Sequence, residues 1–108
     1  MVREFVVVDG QEENFEEVFR QGGIWQEFLQ HSPGYLASEL LGLSSGPRRY
    51  EVFDYWQSHE GFEDCRRERQ QEIERFNLLF LESMVLRETF LGSFYEDGPD
   101  ESGLVLNK

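Results

Sequence analysis

Residues 49–62 read Arg49-Tyr50-Glu51-Val52-Phe53-Asp54-Tyr55-Trp56-Gln57-Ser58-His59-Glu60-Gly61-Phe62. In an extended chain, Tyr50, Val52, Asp54 and Trp56 fall on one side and Glu51, Phe53 and Tyr55 on the other, so both sides are largely apolar. A strand of this kind belongs in the middle of a sheet. Ser58 then supplies the N-cap of a helix whose apolar stripe runs through Phe62, Cys65, Arg69, Ile73, Phe76 and Phe80. The helix on this stripe must lie over a sheet face, which fixes an αβ layer.

The flanking sequence completes the pattern. Val2–Val8, with Phe5-Val6-Val7-Val8 stopped by Asp9-Gly10, reads as a second buried central strand. Phe15, Val18, Phe19, Trp25 and Leu29 share one face of a helix over residues 11–30, with the Gly22-Gly23 pair marking a kink or a break into two shorter helices. Ser32-Pro33-Gly34 ends that helix and opens a strand over 35–44, and a last strand covers 83–95. The order β-α-β-β-α-β predicts an α+β, ferredoxin-like fold with both helices on one face of a four-stranded antiparallel sheet. Strands 1 and 3, apolar on both faces, predict that the other sheet face is covered by a second copy, a homodimer joined sheet to sheet.

With 108 residues there is material for one domain, assigned to residues 1–95, followed by an acidic, turn-rich tail over 96–108. Twenty-two acidic against ten basic residues give a net charge of −12, which repels phosphate backbones and anionic bilayers and argues against nucleic acid or membrane as partner. No signal-peptide pattern opens the chain and no apolar run is long enough to span a bilayer, so the expected location is cytoplasmic. Cys65 is the sole cysteine, and with His31 and His59 it offers no metal-ligand spacing; no metal is expected.

Trp56, Ser58, Glu60 and Phe62, each separated by one residue, together with the Phe5-Val6-Val7-Val8 strand, Phe15, Phe19 and Pro33-Gly34-Tyr35, resemble the antibiotic biosynthesis monooxygenase family of the dimeric α+β barrel superfamily. The resemblance spans about residues 2–95 and implies the same dimer. That group includes cofactor-free oxygenases of quinol-type aromatics and haem-degrading enzymes. The haem-degrading members use an Asn on strand 1, a Trp early in helix 2 and a His further along it. Here strand 1 has no Asn, Cys65 stands where the Trp would fall, and no His follows His59. The resemblance therefore implies cofactor-independent oxygenation of a small aromatic or quinol. The alternative is a non-catalytic dimeric protein that binds a small apolar ligand or serves an accessory role.

Eight residues are candidates for a ligand site. Trp56, ending strand 3 toward helix 2, is either a core aromatic or the wall of an aromatic pocket shared with Trp25, Tyr35 and Phe62. Cys65 is either a small buried hydrophobe or a thiol activated by Arg66 and Arg69. Arg69, on the apolar stripe, either pairs with Glu63, Glu72 or a strand carboxylate, or holds a substrate anion at a pocket rim. His59, in the first turn of helix 2, is either solvated or a neutral base. Asp54 interrupts an apolar face and must pair, with Arg87 or Arg49 as the expected partners, or line a pocket.

Overall fold

A computed structural model describes residues 1–93. Phe94, Tyr95 and the acidic tail of 96–108 lie outside the described residues. Four strands, β1 (Val2–Val7), β2 (Tyr35–Gly42), β3 (Arg49–Trp56) and β4 (Val85–Gly92), form one antiparallel sheet in the order β2-β3-β1-β4. The two strands with apolar residues on both faces, β1 and β3, are the central pair, as their composition requires. Phe5 lies opposite Tyr50, and Arg3 opposite Val52.

The helices α1 (Glu12–Phe19), α2 (Ile24–Leu29), α3 (His59–Glu68) and α4 (Gln70–Phe76) form a layer on one sheet face. This is the ferredoxin-like α+β arrangement. The helix expected over 11–30 is broken at Arg20–Gly23, the second of the two outcomes that the glycine pair allowed. Gly22 has a φ of +78°, and a Cβ on Gly23 would sit 2.6 Å from the Glu17 carbonyl oxygen and 2.7 Å from that of Val18. Only a residue without a side chain fits that turn.

Ser58 caps α3 as its sequence position requires, its Oγ accepting a hydrogen bond from the Gly61 N–H at 3.1 Å. The stripe beyond it does not continue as one straight helix. Arg69 leaves helical geometry, with φ −110° and ψ 26°, and separates α3 from α4; α4 then runs into a π-helical turn over Asn77–Leu81. The core between the layers is aromatic: Phe15 contacts Phe5, Phe19 and Tyr50 at ring-centroid distances of 5.2, 4.8 and 4.9 Å. Phe5, Val7, Phe15 and Val52 are completely buried, and burying each such side chain contributes about 1.5–3 kcal/mol.

The opposite sheet face is mixed, not uniformly apolar as strands 1 and 3 suggested. Phe53 stacks with Tyr55 at 6.4 Å, and Leu41, Tyr55 and Leu91 are 50%, 43% and 42% exposed. Among them Arg49 pairs with Glu4 at 3.3 Å, and the Tyr55 hydroxyl donates to Glu39 at 2.7 Å. The physical reason lies in β2 and β1, whose alternation puts Glu39 and Glu4 on this face beside the aromatics of β3.

Candidate functional site

Asp54 is 2% exposed and lies on the helix side of β3. Its carboxylate accepts hydrogen bonds from Ser38 Oγ at 2.7 Å, Trp25 Nε1 at 3.0 Å and an Arg3 guanidinium nitrogen at 3.3 Å. Three donors, one of them cationic, satisfy the hydrogen-bonding capacity that burial would otherwise leave unmet. The partner is thus Arg3 on β1 and neither Arg87 nor Arg49. Arg49 is held by Glu4 on the other face, whereas Arg3 shares the helix side with Phe5 and Val7 by simple alternation. The Arg3 guanidinium also lies 4.9 Å from the Trp25 ring and reaches Glu88 of β4 at 3.3 Å.

From Asp54 the polar chain continues outward. Ser38 Oγ lies 2.6 Å from the Tyr35 hydroxyl. Burial raises the Tyr35 phenol above its ordinary value, outweighing the Ser38 hydrogen bond that lowers it. Tyr35 is therefore a neutral phenol at physiological pH, able to pass a proton but not to act as a phenolate.

Tyr35 packs edge-on against Trp56 at 5.4 Å, Trp56 meets Phe62 at 6.0 Å, and Phe62 meets His59 at 6.3 Å. The Trp56 Nε1 is buried and has no hydrogen-bond acceptor among the described residues. His59 Nε2 lies 3.6 Å from Glu63, and Glu63 is held below the usual carboxylate range chiefly by its hydrogen bond from Arg66. Arg66 thus points at Glu63 and not at Cys65.

Arg69 has several partners. Its Nε donates to Glu72 at 2.7 Å, and one terminal nitrogen donates to the Phe28 carbonyl at 2.6 Å and to Ser32 Oγ at 2.9 Å. Its guanidinium lies over the Phe28 ring at 3.9 Å. Ser32 Oγ is also 3.4 Å from Cys65 Sγ, and Phe28 in turn stacks on Trp25 at 5.5 Å. The eight candidates therefore form two linked groups. Trp25, Asp54, Tyr35, Trp56, Phe62 and His59 make one run, and Cys65 and Arg69 meet at Ser32 and rejoin Trp25 through Phe28.

Among the described residues, grooves open on the helix side, two of which touch the candidates. The larger, about 590 Å³, lies between α2 and α4 and includes Phe28, Arg69, Phe76 and Phe80 in its lining. The smaller, about 340 Å³, is bounded by Pro33, Gly61, Cys65 and Arg69. Neither is lined by Trp56, which was expected to wall a pocket; Tyr35 and Phe62 occupy the space beside it. Sequence reasoning missed Arg3, Ser38, Ser32 and Phe28. For Arg3 and Ser38 a signal existed: they fall in register with core positions on their strands.

The fold and the buried network define a small ferredoxin-like α+β domain. No family model matches the chain, and no curated protein matches it. Among solved structures it is similar to the crystal structure of PA3566 from Pseudomonas aeruginosa, with a TM-score of 0.57 and 15% identity over 82% of this chain and 83% of that one. Among the described residues no helix is long and apolar enough to cross a membrane.

Proposed function

We propose that this chain is a homodimeric small-ligand-binding domain, similar to the antibiotic biosynthesis monooxygenase group, that takes up a small aromatic or quinol-type molecule on its helix side without turning it over. The observation that carries this reading is that the polar groups a reaction would recruit are already engaged. Asp54 is bound by three donors, and Arg69 is held by Glu72, Ser32 and the Phe28 carbonyl. The larger groove, with Phe28, Phe76 and Phe80 in its lining, is suited to binding a flat apolar body. The second copy would cover Leu41, Phe53, Tyr55 and Leu91, the apolar part of the open sheet face. A stable dimer of this type buries about 1,600 Å² in total.

A second reading, cofactor-independent monooxygenation with dioxygen as the oxidant, is favoured by one observation. The Tyr35–Ser38–Asp54 hydrogen-bond chain gives a phenolic proton a path from the half-buried Tyr35 to a buried carboxylate. Tryptophan fluorescence titration and oxygen uptake with the same panel of hydroquinones separate the two. Binding without uptake supports the first reading, uptake supports the second, and absence of both overturns each. Light scattering tests the dimer: a monomer at micromolar concentration overturns it, and Phe53→Asp should dissociate it.

A further inference from the structure

The groove between α2 and α4 carries a cation without a side-chain partner among the described residues. Of the nine arginines, six lie within 4 Å of a carboxylate: Arg3, Arg48, Arg49, Arg66, Arg67 and Arg69. Arg20, Arg75 and Arg87 make no ion pair or hydrogen bond through their side chains among the described residues. Of these three, Arg75 alone lines either groove, at the α4 rim of the larger one. In a chain of net charge −12 an arginine has acids in excess to choose from, and one left unpaired beside an apolar groove is a ready counter-charge for a ligand.

The rest of the groove agrees. Its walls include Ile24, Phe28, Phe76 and Phe80, and Ile24 is 39% exposed, more than an ordinary core residue. Two acids share the rim. Glu72 is neutralised by Arg69 at 2.7 Å, leaving Glu27 on the α2 side. The groove is thus apolar at the floor, positive at the α4 rim and negative at the α2 rim. A volume of about 590 Å³ holds a phenyl ring with a short chain.

We infer that this groove binds a small aromatic carboxylate, its ring against Ile24 and Phe80 and its carboxylate on Arg75, pointing away from Glu27. The inference rests on the small-ligand-binding reading above and adds the site and the charge of the ligand. Trp25 is a built-in reporter, because it stacks on Phe28 at 5.5 Å and meets Phe76 edge-on at 4.9 Å, while Trp56 contacts Tyr35 and Phe62.

The test uses phenylbutyrate and its uncharged amide on the full chain, by calorimetry and by Trp25 fluorescence in a Trp56→Phe background. The carboxylate should bind about fivefold tighter than the amide, the size of one partly screened charge pair. Arg75→Gln should remove that preference while leaving amide binding unchanged, Glu27→Gln should tighten the carboxylate, and Arg87→Gln should change nothing. Equal affinity of the wild-type chain for the two probes, or equal loss of both in Arg75→Gln, overturns the inference and leaves the ligand-binding reading standing. Binding of neither probe while a hydroquinone still binds overturns the inference alone.

Discussion

Arg3 and Asp54, on adjacent central strands, meet at 3.3 Å in a space walled by Phe5, Phe19 and Trp25, with the Arg3 side chain 10% exposed and that of Asp54 wholly buried. Removing one charge strands the other. Asp54→Ala should therefore destabilise the domain by about 3–5 kcal/mol, measured by urea unfolding. Replacing both, as Arg3→Met with Asp54→Leu, should cost less than Asp54→Leu alone. A double variant as unstable as the sum of the two singles would show that the pair is not coupled.

The two tryptophans should respond differently to the same change. Trp25→Phe leaves Asp54 short of one donor and should cost about 1–3 kcal/mol. Trp56 has a buried Nε1 with no acceptor among the described residues, so Trp56→Phe forfeits none of those hydrogen bonds and should cost less than Trp25→Phe. Thermal unfolding of the two variants side by side checks the order.

Gly23 is the tighter of the two glycines at the α1–α2 break. Gly23→Ala places a methyl against the carbonyls of Glu17, Val18 and Arg20 at 2.6–2.9 Å and should destabilise by about 1–3 kcal/mol. Gly22→Ala meets no atom within 4 Å but strains a φ of +78°, at a cost of about 1–2 kcal/mol. Circular dichroism melts distinguish both from a helix-strengthening effect, which would raise the midpoint.

The Tyr50 hydroxyl donates to Glu16 at 2.6 Å, and burial, followed by this carboxylate, pushes the phenol well above its ordinary value of 10.0. The folded chain therefore keeps its proton where the unfolded chain has lost it. This contribution is complete below pH 10.0 and declines as pH rises above it toward the folded value. Urea midpoints should fall in that alkaline range, and Tyr50→Phe should flatten the fall. The remaining slope belongs in part to Tyr35, whose phenol is also raised.

Strand β3 and the Ser58 cap were legible because each is encoded locally, by alternation over eight residues and by one hydroxyl ahead of a helix. The break at Arg69 was not. Periodicity cannot register that one side chain will leave its stripe to bind the Phe28 carbonyl and Ser32, which are far away in sequence. The same holds for Asp54. Its need for a partner was evident from its place on an apolar face, but the choice of Arg3 over Arg49 and Arg87 depends on the β1–β3 register, which no local pattern contains. The Trp56 cluster shows the remaining limit: alternation places Trp56 on the helix side of β3, but how closely Tyr35 and Phe62 pack against its ring depends on tertiary geometry that no local pattern contains.

The strand order has a consequence for the chain during its synthesis. Val2 lies opposite Phe53 on one side and Gly92 on the other, so β1, made before the other three strands of this sheet, is sealed only by β3 and β4. Until β4 has left the ribosome, β1 presents a bare hydrogen-bonding edge beside Phe5, Val6 and Val7, and non-local pairings of this kind close slowly. Folding of this domain is accordingly held open from its first strand to its last, and nascent chains truncated before β4 should be the species that chaperones retain.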